Sequence, residues 1–347
     1  MSRRTIRWQK RHLSGPSFMA ALPEIVPQAL DGAVPMSAAV MTLGIYADLD
    51  APLDWEALAQ VTEQHPARIL IIQPSDPSSP FDGLDAVVEA HVDQPDDPRR
   101  PPLLFSECLH MTLSGKTAAY WIDWVQPLIR SNIPAYLWWA GSPPDDHFRW
   151  DLLGQSFQAV IVDSCALSFD QWHHLADSAV AQHMTVMDLD WARGLPVRRL
   201  LADACDDATV REVLTHPHRI EIASSSQGQL ILPSTWLWLS WRLGWDLGLP
   251  PCGRPGLEVE HTADRTQAWT FFGRDGLLRL QWSDGWTLTW SPAVGHDRSW
   301  TYANPHGSRL SRELGDLLEI GRDLLYEQLL HQVVLGRSTN PTWSKNP

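Results

Sequence analysis

The sequence predicts an α/β layer with a mixed sheet, followed by an α+β domain with an antiparallel meander and a long C-terminal helix. Three observations predict this fold class. Apolar runs alternate with helical patterns up to about residue 183, as in strand–helix–strand units. Three short alternating runs then lie between about 257 and 302. Leucines at helical spacing fill the segment from Arg312 to Leu335.

The first half contains two kinds of predicted strand. Continuous apolar runs predict strands buried on both faces: SAAVMTLGIYAD from Ser37, ARILII from Ala67, AYLWW after Pro134 and AVIVDS from Ala159. LDAVVEAHVD and LLFSECLHMTL alternate and predict two more strands. Asp54 and Ser168 each precede a helical pattern, so both are N-cap candidates.

The second half changes to hairpins. AWTFFG, GLLRLQW and GWTLTW alternate, and the pairs Asp275-Gly276 and Asp284-Gly285 separate them as hairpin turns. LDWARGLPVRRLLADAC predicts a helix that is interrupted at Gly194 and Pro196. The chain of 347 residues therefore divides into four predicted segments: a flexible arm over 1–36, an α/β domain over 37–184, an α+β domain over 185–335 and a tail over 336–347.

The charge is acidic and uneven. The chain has 27 basic and 41 acidic residues, for a net charge of −14, although five cations lie within the first eleven residues. The rest therefore sets 22 basic against 41 acidic residues, which argues against a phosphate backbone as partner. No run of about 18 apolar residues predicts a membrane span. The four cysteines are far apart and form no CxxC pair, which favours a reducing, cytoplasmic compartment.

Motifs for catalysis or cofactor binding are incomplete. Gly115-Lys116-Thr117 resembles the end of a P-loop, but His110 stands where the first glycine belongs. No G-x-G-x-x-G or G-x-S-x-G occurs, so we predict neither a cofactor nor a metal. Asp188 and Asp190 are either paired carboxylates or helix-capping acids, and capping is the commoner use of such residues. Cys165 follows a buried strand and is interpreted as a core thiol.

Tryptophan is unusually abundant, with 19 residues. Trp238, Trp241 and Trp245 share one helix face, whereas Trp138 and Trp139 point to opposite faces of a strand. Such residues belong either to the core or to a protein interface, where Trp and Arg are enriched. An acidic chain that is rich in Trp and Arg and lacks a catalytic constellation favours partner binding.

Several strings, in their order and spacing, resemble the glucose-6-phosphate dehydrogenase assembly protein family, OpcA. The resemblance extends from about Met41 to Leu330 and rests on these strings: HPARILII at His65, SECLHMTLSG at Ser106, VQPLIRSNIPAYLWWAG at Val125, AVIVDS at Ala159 and DLDWARGLPVRRLLA at Asp188, followed by the Trp-rich helix ending in SWRLGW. Three positions depart from the family pattern. Asp190 replaces an Asn, Val197 a Trp and Arg199 a Glu.

The resemblance implies a non-catalytic partner that assembles or allosterically activates the glucose-6-phosphate dehydrogenase oligomer of the oxidative pentose phosphate pathway. The G-x-x-G-D-L and D-H-Y-x-G-K strings of such dehydrogenases are missing here, so we expect no enzyme activity. We predict a partner interface, with no nucleic acid and no membrane, at a set of aromatic and charged residues: Trp138, Trp139, Asp188, Asp190, Trp191, Arg193 and Arg198. Trp191 and Arg193 could instead seal a joint between the two domains.

A rival hypothesis is a small-molecule sensor, for a sugar phosphate or nucleotide, or an uncharacterised enzyme that uses the α/β domain. Ligands of such sheets bind at the carboxyl ends of the strands. The candidate groups for this hypothesis are His65, Arg68, Glu107 and Asp163.

Overall fold

A computed structural model describes most of the chain. The described residues are 2–51, 53–75, 78–97, 99–142, 148–223, 233–243, 258–262, 267–274, 276–282, 285–303, 309–320 and 323–331. They group into two compact units, each built from more than one stretch of chain. The first unit comprises 1–162, 175–187 and 308–322, and the second comprises 163–174, 188–307 and 323–347. The predicted boundaries at 184 and 335 stay predictions.

The described elements are fifteen strands, twelve α-helices and two 3-10 turns. The strands are β1 (Ser2–Leu13), β2 (Met36–Ser37), β3 (Met41–Tyr46), β4 (Ala67–Pro74), β5 (Gly83–Gln94), β6 (Leu103–Ser114), β7 (Ala135–Trp139), β8 (Ala159–Val162), β9 (Thr185–Asp188), β10 (Arg219–Ala223), β11 (Glu258–Thr262), β12 (Gln267–Gly273), β13 (Gly276–Trp282), β14 (Gly285–Pro292) and β15 (Arg298–Ala303). The helices are α1 (Gly15–Ala29), α2 (Trp55–Gln64), α3 (Lys116–Ala119), α4 (Trp121–Val125), α5 (Trp150–Ser156), α6 (Phe169–Ala181), α7 (Leu189–Arg193), α8 (Leu195–Ala204), α9 (Ala208–Thr215), α10 (Pro233–Arg242), α11 (Arg309–Ile320) and α12 (Leu324–Leu329). The 3-10 turns are Gln126–Leu128 and Ser164–Ala166.

The nine-stranded sheet is mixed, as predicted. Its order is β1-β5-β6-β4-β3-β7-β8-β9, and β2 pairs with β6. β5 is antiparallel to both β1 and β6, whereas β4, β6 and β7 extend the sheet in parallel from β3. The buried strands predicted from continuous apolar runs form this parallel centre. Leu43, Ile45, Leu70 and Ile71, for example, are fully buried.

The parallel strands, together with β9 at the edge, follow a known winding order. When β3, β4, β6, β7, β8 and β9 are numbered one to six along the chain, they lie in the sheet as 3-2-1-4-5-6. This is the order of a doubly wound dinucleotide-binding sheet, in which the ligand crevice lies beyond the carboxyl ends of the first and fourth strands. Here those strands are β3 and β7.

The N-terminal segment departs from its prediction. Residues 1–36 were expected to form a flexible basic arm, but β1 pairs with β5 in register from Ser2 opposite Gln94 to Lys10 opposite Ala86. Ile6 is buried with Val26 of α1 and with Leu30, the residue that follows this helix. The charged residues are tolerated because they lie on exposed positions of an edge strand, while the helix covers the one apolar stripe.

The second sheet contains the predicted meander. Its order is β11-β10-β12-β13-β14-β15, with β10 and β11 parallel and the other pairs antiparallel. The inward residues of β12, β13 and β14 pack with residues of α8, α9 and α10 in one core. Trp236 and Trp269 meet edge to face there, with 5.3 Å between ring centroids.

The long C-terminal helix is divided in the structure. α11 ends at Ile320, and a new helix, α12, begins at Leu324. The Asp323 carboxylate accepts hydrogen bonds from the backbone N–H groups of Leu325 and Tyr326, and this N-cap defines a separate helix start. No described helix has both the length and the apolar content needed to cross a bilayer.

Candidate functional site

The crevice at the carboxyl ends of β3 and β7 is filled by side chains. The rings of Tyr46 and Trp139, the last residues of these strands, stack with 4.5 Å between their centroids. Asp48 accepts hydrogen bonds from the backbone N–H and the hydroxyl of Ser142, at 2.9 and 2.8 Å. A Cβ on Gly141 would lie 3.0 Å from the Asp48 carboxylate, so the two loops are in close contact.

The residues of this crevice do not fit a dinucleotide. A pyrophosphate at this place needs a glycine-rich turn and a helix N-terminus with free N–H groups. The turn between β3 and α2 instead carries Asp48, Asp50 and Asp54 and no glycine. The Asp54 carboxylate already accepts the N–H of Ala57, at 2.9 Å. A phosphate here would meet the carboxylates of Asp48 and Asp54 and would find the Ala57 N–H already occupied, so the crevice does not fit such a cofactor.

The P-loop-like string Gly115-Lys116-Thr117 also has its phosphate-binding donors occupied by a carboxylate. Lys116 opens α3, which has only four residues. The backbone N–H and the hydroxyl of Thr117 both donate to one Asp82 oxygen, at 2.9 Å each. The Asp82 carboxylate therefore occupies the position at the helix N-terminus where a phosphate would bind.

A buried carboxylate cluster forms around Asp188 and Asp190, neither of which has any exposed area. Asp188 ends β9 and is the N-cap of α7. One Asp188 oxygen accepts the N–H groups of Ser164 and Asp190, at 3.1 and 3.0 Å. The other oxygen accepts the Ser164 hydroxyl at 2.7 Å and the Tyr326 hydroxyl at 3.2 Å. The prediction of a capping acid is thus confirmed for Asp188.

Asp190 binds a different set of donors. One of its oxygens accepts the Cys165 thiol at 2.9 Å. The other accepts the N–H of Ser234 at 2.9 Å and the Ser234 hydroxyl. Arg193 lies 3.7 Å from the Asp190 carboxylate and makes a two-fold hydrogen-bonded ion pair with Asp163, at 3.1 and 2.9 Å.

Burial changes the protonation of this cluster. Loss of solvation, followed by the charge of Asp190, raises the pKa of Asp188 to about 7. Loss of solvation also raises the pKa of Asp190, against the opposing charge of Arg193. The pKa of the Cys165 thiol is raised far above its usual range by burial and by the neighbouring carboxylates. Two carboxylates this close can retain a proton near neutral pH, but neither has an exposed atom for a substrate.

Trp191 and Arg198 complete the surroundings of the cluster. The Arg198 guanidinium lies over the Trp191 ring, 3.5 Å from its centroid, and donates to the Trp191 carbonyl at 2.8 Å. The Trp191 indole donates to Asp323 at 2.8 Å. A Cβ on Gly194 would lie 1.9 Å from the Thr235 hydroxyl oxygen, so only glycine fits between α7 and α8.

The predicted interface residues are therefore largely buried. Trp138, Trp139, Trp191 and Arg198 are each at most 8% exposed, and only Arg193 among the charged members retains somewhat more, with 13% of its side chain exposed. Their role in a partner interface stays a prediction, and burial means that they would shape a contact surface rather than project from it. No sequence pattern pointed to Ser164, Ser234 or Tyr326, which come from distant segments.

The residues of the rival hypothesis separate into two groups. Arg68 and Glu107 form an ion pair of 2.8 Å across β4 and β6, and Arg68 also donates to the Leu128 carbonyl. Asp163 lies in the other unit, paired with Arg193. The backbone N–H of His65 donates to the Val61 carbonyl at the C-terminal end of α2. Glu107 also lines a cavity of about 640 Å³ between α2 and the face of β1, β5 and β6.

Comparison with known proteins finds similarity to one family and to two curated relatives. Residues 59–178 match the family model described as "Glucose-6-phosphate dehydrogenase subunit N-terminal domain". Two relatives carry the name "Putative OxPP cycle protein OpcA": one from Nostoc punctiforme, 27% identical over 193 residues, and one from Synechococcus elongatus, 26% identical over 143 residues. These matches support the resemblance to the glucose-6-phosphate dehydrogenase assembly protein family, OpcA, over part of the chain.

The extent of the matches is limited. The Nostoc match covers 54% of this chain and 40% of the relative, and the Synechococcus match covers 40% and 32%. Among solved structures, a mutant of the 3-ketoreductase KijD10 from Actinomadura kijaniata aligns over 88% of this chain and 96% of its own, at 13% identity and a TM-score of 0.47. Biliverdin reductase from Synechocystis aligns over 86% of this chain and 98% of its own, at 12% identity and a TM-score of 0.44. The chemistry of those enzymes is not carried over to this chain.

Proposed function

We propose that this chain is a non-catalytic partner that assembles or allosterically activates glucose-6-phosphate dehydrogenase in the oxidative pentose phosphate pathway. The match of residues 59–178 to a domain described as belonging to a dehydrogenase subunit carries the proposal. The names of the two relatives, which refer to the OxPP cycle, support it.

The crevice geometry supports a role without catalysis. Asp48 and Asp54 occupy the positions where a winding order of this kind would offer glycines and free N–H groups to a pyrophosphate. Tyr46 and Trp139 fill the space between the two strand ends. The occupied donors and the filled space support a role for this sheet that does not involve a dinucleotide.

Activation then has a simple thermodynamic form. The chain binds the active state of the dehydrogenase more tightly than the inactive state, and the difference in binding free energy shifts the equilibrium. A coupling of about 1–3 kcal/mol changes substrate affinity by about 5- to 150-fold. Assembly differs from activation because it changes the mass of the dehydrogenase oligomer rather than the properties of an existing one.

The test titrates the purified chain into the dehydrogenase of the same host, while activity and the mass of the complex are recorded together. A larger complex with a lower KM or a higher kcat is expected for an activator. A larger complex with unchanged kinetics indicates assembly or stabilisation alone. If no complex forms while both proteins are folded, the proposal is wrong.

The cavity beside Glu107 favours a second candidate, a sensor of small molecules. Its volume of about 640 Å³ lies within the range of ligand sites, which is about 300–1,000 Å³. Its wall combines apolar residues with Glu89, His91 and His110. A thermal-shift screen with sugar phosphates and pyridine nucleotides tests this candidate, and a flat response to every compound counts against it.

A further inference from the structure

The outer edge of β1 is long and basic, and it is regular from Ser2 to Lys10. β1 has twelve residues, about twice the usual length of a strand, and β5 is its only neighbour among the described strands. The pairing with β5 is continuous from Ser2 to Lys10 and shifts register only beyond that residue. The edge away from β5 therefore carries backbone N–H and C=O groups that can pair with another extended chain.

The five cations of β1 exceed the acids beside them. β1 carries Arg3, Arg4, Arg7, Lys10 and Arg11, whereas β5 carries three carboxylates, at Asp85, Glu89 and Asp93. Arg3 forms an ion pair with Asp93 at 2.9 Å, and Arg7 stands opposite Glu89 in register. Arg4, Lys10 and Arg11 are exposed. The edge is therefore a positive strip on a chain whose remaining residues are strongly acidic.

The spacing of these cations decides against a second copy of this chain. The cations at 3, 4, 7, 10 and 11 are symmetric about Arg7. In an antiparallel pair of β1 edges centred on Arg7, Arg3 would stand opposite Arg11, and Arg4 opposite Lys10. Every pair would set like charges opposite each other, which is destabilising. A strand with acids at the same spacing would instead form opposite-charge pairs with Arg3, Arg4, Arg7 and Lys10, where the backbone of β1 is regular.

We propose that the β1 edge is a docking surface for an extended acidic segment of another protein, which adds to the nine-stranded sheet as a further strand. Main-chain hydrogen bonds supply affinity in such strand addition, and the side-chain pairs supply specificity. Because the cations are symmetric about Arg7, a segment with acids at the same spacing sets acids opposite cations when it pairs in the antiparallel direction. This inference does not depend on the proposed function, since the partner is defined by its chemistry alone.

The experiment uses the full chain and a labelled synthetic peptide that copies residues 2–13 with all five cations replaced by glutamate. We expect binding by fluorescence anisotropy that weakens as salt rises. Hydrogen exchange should show new protection at alternate amides of β1, because only one edge of the strand gains partners. Two probes serve as controls: a peptide with the native basic sequence, and the acidic peptide with two internal prolines, which keeps the charge but cannot complete the ladder.

Matched variants separate the surface from bulk charge. Arg4→Gln with Lys10→Gln should raise the dissociation constant of the acidic peptide by about 3- to 30-fold, since two exposed ion pairs are lost. Arg99→Gln with Arg100→Gln removes the same charge from exposed positions elsewhere and should change it less than about 2-fold. Arg4→Glu with Lys10→Glu should bind the acidic peptide still more weakly and gain affinity for the basic one.

Three results would overturn the proposal. The first is equal binding of the proline-containing peptide, which would mean charge attraction without strand pairing. The second is a loss of affinity in Arg99→Gln with Arg100→Gln that equals the loss in Arg4→Gln with Lys10→Gln. The third is a short DNA duplex that binds more tightly than the acidic peptide with the same dependence on Arg4 and Lys10, which would make the strip a nucleic-acid contact.

Discussion

The hydroxyl of Tyr326 donates a hydrogen bond of 3.2 Å to the carboxylate of Asp188, which lies 138 positions earlier in the chain. Both groups are completely buried or nearly so. The same Asp188 oxygen also accepts the Ser164 hydroxyl, so one carboxylate joins three separate segments of the chain. The stability of this part of the molecule therefore depends on a polar group that the solvent does not reach.

The contacts of Asp188 predict different costs for two substitutions. In Asp188→Asn the amide oxygen can still accept the N–H groups of Ser164 and Asp190, and the Ser164 and Tyr326 hydroxyls can turn to accept from the amide nitrogen. We expect a loss of less than about 1 kcal/mol in the free energy of unfolding. Asp188→Ala leaves two buried N–H groups without an acceptor and should cost about 2–5 kcal/mol. Urea denaturation measures both, and equal costs would contradict the prediction.

Stability should also depend on pH through Asp188. Its folded pKa of about 7 lies above the value of about 4 in an unfolded chain. Between these values the folded state holds a proton that the unfolded state has released. The free energy of unfolding therefore falls as pH rises from about 4 to about 7, by at most about 1.4 kcal/mol per pH unit, and this contribution is constant above 7.

Denaturation at several pH values checks this dependence. From pH 4 to 7, the free energy of unfolding of Asp188→Asn should fall less steeply than that of the native chain. Asp151→Asn is the matched control, because Asp151 is half exposed and its pKa is lowered by Arg149, so its loss acts below pH 4. If the two variants have the same slope as the native chain, Asp188 is not the titrating group.

The N-cap of α2 gives a third prediction. Asp54→Asn retains a side-chain oxygen for the Ala57 N–H and should change the free energy of unfolding by less than about 0.5 kcal/mol. Asp54→Ala removes the cap and should cost about 1 kcal/mol. Thermal denaturation of the two variants compares them. If the alanine variant were as stable as the native chain, the observed contact would not stabilise the helix.

The described cysteines should react slowly with thiol reagents. Burial raises the pKa of Cys108 to about 12 and also raises the pKa values of Cys165 and Cys205. Because the thiolate is the reactive form, alkylation of the folded chain at pH 8 should be far slower than in guanidinium chloride. Mass spectrometry of digested protein assigns the rate to each site. Rapid native labelling of Cys165 would show that its environment opens on the time scale of the reaction.

Local patterns predicted most of the elements of this fold. The alternation in β5 and β6, the apolar runs of β3, β4, β7 and β8, and the three runs of the meander all became strands. β1 was missed because cations at five of its positions conceal the alternation of Ile6 and Trp8. An edge strand needs few apolar residues, so its pattern is weaker than that of a central strand.

The environment of the candidate site could not be predicted in the same way. Capping by Asp188 follows from its position before a short helix. Its burial depends on Ser164 and Tyr326, which become neighbours only in the folded chain. The start of α12 did have a local signal, since Asp323 precedes an apolar run, but the leucine spacing on both sides favoured one continuous helix.

The pairing of β1 with β5 affects the order in which the chain can fold during synthesis. β1 leaves the ribosome before β5, and the partner of Ser2 is Gln94. At synthesis rates of about 5–20 residues per second, β1 waits about 5–20 s for its neighbour. A nascent strand that is unpaired for so long would be prone to aggregation if it were apolar, and its five cations keep it hydrated until β5 emerges.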